Sequence, residues 1–317
     1  MDSYIEKTLS ELKNRISDCE ITFQKVNKNN GVIWDAFCIR NKNTNISPVF
    51  YLTDDDRKNL TPEEFVDRTV FAYNREKNRG IDFDVSEFTD IDWVRSRIMF
   101  NIVNRQRNSR SDLASIPITP DLMITFKVKV GNNAFIRVTN EHLKAWGDIT
   151  PESLLEDAKN NSVVLDKAVF RSLNDVLVDL LLDEYKSGNP NTEVTDELRN
   201  SIKEQVSGGM QDAVYMLSTE NHSSASMLYP GTLDKIKELL DDNLIILPSS
   251  TDEVLIMKEA FALEMGLDTV KSMVQSVNKD IVMQDNATQY LSDEILRYDG
   301  ELKQIDEQQE ALEAMVV

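Results

Sequence analysis

The stretch IILPSSTDEVLIM, residues 245–257, sets two apolar runs around a short polar centre of Ser249, Ser250, Thr251, Asp252 and Glu253. Two physical readings compete. Hydroxyls beside carboxylates could form a reactive loop. Alternatively, Pro248-Ser249-Ser250-Thr251 turns the chain between two buried strands, with its hydroxyls serving local backbone groups. A serine nucleophile also needs a base within hydrogen-bond reach and an oxyanion site. The chain has two histidines, His142 and His222, and their spacing brings neither to this loop. The turn is therefore the expected reading. Ser249, Ser250, Asp252 and Glu253 remain the catalytic candidates should the fold prove otherwise.

Working outward, strand and helix signals alternate without a strict βαβ rhythm. Leu122, Ile124, Phe126, Val128 and Val130 alternate with polar residues, and Phe135, Ile136 and Val138 resume after Gly-Asn-Asn. That is a hairpin pattern with one buried and one wet face. A second hairpin is expected from residues 33–40 and 46–52, around the polar NKNTN. AVYMLST (213–219) reads as a strand. Helices are expected over 1–18, 62–80, 141–146, 151–160, 167–182, 233–240 and 259–276. Thr61-Pro62 with Glu64 is a capping box with proline at the first helical position. Residues 90–110 also read as an amphipathic helix, with Trp93, Val94, Ile98, Ile102 and Val103 on its apolar side. YKSGNPNTEVTDE (185–197) is the best loop candidate. Hairpins mixed with amphipathic helices give an α+β protein, arranged as two lobes. The boundaries expected are 1–112, an acidic 113–300, and a polar helical or frayed tail at 301–317.

Charge is the strongest functional signal. The chain carries 55 acidic and 35 basic residues in 317, a net of −20. Residues 140–317 hold 35 acids against 14 bases, while residues 1–139 are nearly balanced. Such a surface repels duplex nucleic acid and anionic membranes, and it suits a basic or nucleic-acid-handling protein as partner. The one basic patch is Arg95, Arg97, Arg105, Arg107 and Arg110, with no acid between residues 93 and 111. It is the candidate for phosphate or nucleic-acid binding, although internal ion pairing is the commoner use of such residues.

Chemistry is otherwise sparse. Neither histidine has metal-ligand spacing, and no P-loop, nucleophile elbow or dinucleotide fingerprint is present. The acid groups at 54–56, 82/84, 90/92 and 241–242 read as turns and caps. Cys19 and Cys38 make no disulfide framework, which suits reduced thiols in the cytoplasm. No secretory leader or membrane span is expected, and no metal or cofactor.

The order of several stretches adds a resemblance. NKNNGVIWDAFCI, NISPVFYL, IVNRQRNS, ITPDLMITFKV, VTNEHLKAWG, SMLYPGTLDKI, LIILPSSTDEVLIM and LSDEILRYDG run in sequence from about residue 25 to 300. Together the chain resembles a bacterial family seen mainly in gut Firmicutes, domain-of-unknown-function family 5688. The resemblance implies a soluble bacterial protein and brings no activity with it. In the family the loop reads Pro-Ser-Ser-x-His-Glu, and here Asp252 stands at the histidine's place, which weakens a Ser-His reading there. The function expected is a non-enzymatic, macromolecule-binding or inhibitory protein with an acidic surface, one form being polyanion mimicry. The alternatives are a hydrolase or nuclease at the loop, or nucleic-acid binding through the arginine segment.

Overall fold

The computed structural model describes residues 2–41, 47–76, 84–109, 112–131, 134–189, 193–209, 213–248, 250–279 and 287–305. Helices and antiparallel sheets are mixed along the chain, as the α+β reading requires. Contacts divide it into two compact units. One comprises residues 1–97 with 128–136; the other comprises 98–127 with 137–317. The sequence suggests a boundary near 112 instead.

In the first unit, α1 (Ser3–Arg15) precedes a three-stranded meander of β1 (Cys19–Asn27), β2 (Ile33–Asn41) and β3 (Val49–Leu52). Helices α2 (Asp54–Asn59) and α3 (Pro62–Glu76) follow. Leu12, Ile21, Phe37, Ile39, Phe65 and Val66 form one buried cluster. Each such side chain contributes about 1.5–3 kcal/mol on burial. The capping box at Thr61 forms as expected. Glu64 accepts from the Thr61 N–H at 2.8 Å, and Thr61 Oγ1 accepts from the Glu64 N–H at 3.3 Å. β1 is not among the expected strands. Cys19 pairs with Asn41 and Thr22 with Cys38, so the two cysteines lie three rungs apart, and both are free thiols. The hairpin loop at 42–46 and the helix stop at Gly80 lie outside the described residues.

The helix expected over 90–110 is not formed across the described residues. Helix α4 covers only Ile91–Arg95, and Ile98–Asn104 is strand β4. The reason is burial on both sides: six of its seven residues are buried, so no wet face exists to favour a helical stripe. β4 joins a sheet with β5 (Ser115–Pro117), β6 (Leu122–Lys129) and β7 (Phe135–Arg137), in the order β4-β6-β5 with β7 on β6. The β6/β7 hairpin is as expected, but residues 122–126 are all buried, against the one wet face anticipated. Asn132 and Asn133 of its turn lie outside the described residues.

The second unit continues with α5 (Asn140–Ala145), α6 (Glu152–Leu165), β8 (Ala168–Ser172), α7 (Leu173–Gly188), α8 (Asp196–Val206), β9 (Val214–Thr219) and α9 (Thr232–Leu240). It closes with β10 (Leu244–Leu247), β11 (Glu253–Lys258), α10 (Glu259–Met265), α11 (Leu267–Val277), β12 (Leu296–Tyr298) and β13 (Leu302–Gln304). Six strands form one sheet in the order β13-β12-β10-β11-β9-β8. The opening stretch supplies its centre, with Leu244 opposite Lys258 and Leu247 opposite Leu255. Leu244, Ile246, Val254 and Ile256 pack with α9, while Ile245, Leu247 and Met257 pack with α10 and α11. Both faces are covered, which explains two unbroken apolar runs where a half-wet sheet would alternate. Leu302 packs against the same core, so the start of the tail is strand rather than polar helix. Residues 306–317 lie outside the described residues.

Candidate functional site

The β10–β11 turn is held on several sides. Asp252 N–H donates to Ser250 Oγ at 3.0 Å, and Ser218 Oγ donates to the Asp252 carbonyl at 2.5 Å. Thr251 N–H donates to the Gln289 carbonyl at 2.7 Å, and the Gln289 amide donates to Asp252 Oδ2 at 2.5 Å. The hydroxyls thus serve local backbone groups, as the turn reading expects. Ser249 lies outside the described residues.

A second loop meets this turn. Ser224 N–H donates to the Thr251 carbonyl at 2.9 Å. Two residues earlier, His222 holds a left-handed backbone with φ of 56°, an uncommon conformation for a residue other than glycine. The loop is anchored from beneath by the buried Asp166. Its carboxylate accepts from Thr219 Oγ1 at 2.9 Å, Asn221 N–H at 3.1 Å and Asn221 Nδ2 at 2.9 Å. Ser224 Oγ is fully buried without a hydrogen-bond partner among the described residues.

The electrostatics follow from this packing. Burial pushes the Asp252 carboxyl above its ordinary range, against the opposing pull of Thr251, His222 and Gln289. Burial also raises Glu253, reinforced by the Asp252 charge, while the Ser250 hydroxyl and His222 lower it. Ser250, Asp252, Glu253 and His222 therefore form one electrostatic group. His222 follows Ser218, the partner of Glu253, by four residues, so its loop borders the turn.

His142 does something else. Its Nδ1 accepts from the Thr139 N–H at 3.1 Å in a capping box, and its ring stacks on Trp146. Burial lowers its pKa, so this is a structural histidine.

The arginines are divided between the units: Arg95 and Arg97 belong to the first, and Arg105 and Arg107 to the second. Arg97 lies 4.7 Å over the Trp93 ring and Arg107 lies 4.2 Å over the Tyr290 ring. Arg110 lies outside the described residues. The acid groups serve largely as caps: Asp56 closes a box with Thr53, Asp84 accepts from Ser86, and Asp90 accepts from Asp92.

One acidic concavity was not anticipated. A cleft of about 490 Å³ at the end of α9 is lined by Asp234, Lys237, Glu238, Asp241, Asp242 and Asn243. Its only cation, Lys237, is bound to Asn243 Oδ1. The C-terminal end of the helix dipole adds partial negative charge there. In sequence, the signal was the acid run at 238–242 directly after an apolar helix.

Among the described residues no helix is long and apolar enough to cross a membrane, and no group of three or more His, Cys, Asp or Glu is placed to hold a metal ion. Fold and sites define an α+β protein with an acidic second unit. Residues 1–300 match the family of unknown function DUF5688, and the chain belongs to that family. No curated protein and no solved structure matches it.

Proposed function

We propose that this protein binds another macromolecule without catalysis, using the acidic surface of its second unit to hold a basic protein. The observation that carries this reading is the α9 cleft, where four carboxylates line a concavity whose one ammonium is already engaged. A concave site with four carboxylates against one ammonium is net anionic and selects oppositely charged side chains. The charge excess around it, 35 acids against 14 bases over residues 140–317, extends the same field. The test is recovery of partners from a cell extract at low and high salt, with wild type beside a Glu238→Lys/Asp241→Lys variant. The expected partner is released as salt rises and is lost with the variant. Recovery of no salt-sensitive partner, or one indifferent to the variant, sinks the reading.

A second reading is favoured by one observation, the Ser224–Thr251 backbone contact that sets the His222 loop against the turn of the half-buried Asp252 and Glu253. Desolvated acids near an imidazole suit general acid–base catalysis in a hydrolase or nuclease. Screening ester and phosphodiester substrates with wild type and His222→Ala decides it. Activity that survives the substitution, or no activity at all, counts against this site.

A further inference from the structure

The outer face of the meander in the first unit carries two large aromatic rings. In β2, Phe37 and Ile39 join Ile21 and Leu52 in the core. Side chains alternate along a strand, so Trp34 and Ala36 take the opposite face. Tyr51 pairs with Ala36, which makes it the diagonal neighbour of Trp34 on that face. The two ring centroids are 5.4 Å apart and the planes are tilted by 58°. The rings bound a wedge, and both are half-buried, so solvent still reaches them.

The wedge holds a cation of the chain itself. Lys28 directly follows β1, and its N–H donates to the Val32 carbonyl at 2.8 Å, across a turn in which Asn30 and Gly31 are both left-handed. Its ammonium lies 3.5 Å from the Tyr51 centroid and 5.1 Å from the Trp34 centroid. Both distances fall within the roughly 6 Å over which a ring face attracts a cation. Among the described residues no ion pair or side-chain hydrogen bond holds this ammonium; the rings are its partners. The nearby Asp35 belongs to the core face and pairs with Arg57.

The walls select the occupant. A ring face is negative, so it favours a cation and disfavours an anion. A primary ammonium also brings three N–H donors, for which this wedge offers no carboxylate. A quaternary ammonium has no N–H to satisfy and presents apolar methyl groups to the rings. Val26, directly opposite Trp34 in the ladder, adds an apolar flank for those methyls. We infer that the Trp34–Tyr51 wedge is a binding site for a quaternary ammonium group, borne by a small molecule or by a methylated lysine, with Lys28 as its resident competitor. The site lies in the first unit and stands independently of the acidic-surface reading, which concerns the second.

The probe is choline, beside its neutral isostere in which carbon replaces nitrogen. Each is titrated into the full chain while the amide resonances of β2 and β3 are followed by NMR. Choline is expected to shift them saturably, and the isostere to bind at least about fivefold more weakly. Lys28→Ala removes the competitor and should tighten choline binding by at least about fivefold. Trp34→Leu keeps an apolar side chain without a π face and should abolish it, with the remaining amide spectrum unchanged as the check of fold. Titration with a trimethyllysine amide separates the two sources. Tighter binding than choline assigns the group to a modified protein and weaker binding to a small molecule, and either upholds the site. Equal shifts by choline and the isostere would reveal a plain apolar patch. No saturable shift in Lys28→Ala would reveal a purely structural contact. Either result, or choline binding that survives Trp34→Leu, overturns the inference.

Discussion

Gln289 donates its side-chain amide to the Asp252 carboxylate at 2.5 Å, while its own carbonyl accepts from the Thr251 N–H at 2.7 Å. One residue thus clamps the β10–β11 turn by both side chain and backbone. Asp252 is half-buried, and its charge is tolerated because this amide, Thr251 and His222 offset desolvation. Gln289→Ala removes one of the three. The expected loss is about 1–3 kcal/mol at neutral pH, the range for a hydrogen bond to a charged group. Urea unfolding at pH 7 and pH 3 measures it. The loss should shrink at low pH, where Asp252 is protonated with or without its partner.

Glu253 gives the opposite sign. Burial and the Asp252 charge raise its folded-state pKa above the ordinary 4.5. The folded protein then binds a proton that the unfolded chain has released. That contribution is complete below the ordinary value and is lost as pH rises through the raised one. At neutral pH the charged form is therefore a burden. Glu253→Gln should raise the thermal midpoint at pH 7.5, because the amide oxygen still accepts from the Ser250 hydroxyl. The gain should vanish near pH 4. A midpoint unchanged at both values would contradict the desolvation argument.

The legibility of this fold followed the length and isolation of each pattern. The central strands β10 and β11 and the cap at Thr61 were readable because turn or capping residues bracket them. β4 was not. Its run of apolar residues meets 3–4 spacing by accident, and a strand covered on both faces has no period to distinguish it from a buried helix. β8 was absorbed into the helix pattern of α7, which begins at the very next residue. At the candidate site the turn was legible, but the approach of His222 was not. That approach depends on β9 pairing with β11, a contact between residues about thirty-five positions apart that no local pattern declares.

The correction at β4 is directly testable. Phe100 is 1% exposed within the strand, although a helix here would turn it away from its apolar side, while Arg105 just beyond it is exposed. Phe100→Ala should cost about 3–5 kcal/mol through lost burial and a cavity. Arg105→Ala should fall within about 0.5 kcal/mol of wild type. Equal effects at the two positions would contradict the strand.

Asp166 tests whether the His222 loop is held by the buried carboxylate beneath it. Its oxygens accept from Thr219 Oγ1 and twice from Asn221, and its carbonyl accepts from the Tyr229 hydroxyl at 3.0 Å. Asp166→Ala leaves the buried Thr219 hydroxyl without its acceptor, while the exposed Asn221 can turn its donors to water. One buried, unsatisfied donor sets the expected loss at about 1–3 kcal/mol. Asp166→Asn keeps one acceptor oxygen but turns an amide N–H₂ toward the donors, so it should fall between wild type and Ala. Stability alone would not separate a general weakening from a released loop. The His222 ring proton resonances do so. They should move in the Ala variant while the β10–β11 amides stay protected from exchange. Unchanged His222 resonances in a destabilised protein would mean that the loop is held elsewhere, with the Ser224–Thr251 backbone contact the first alternative.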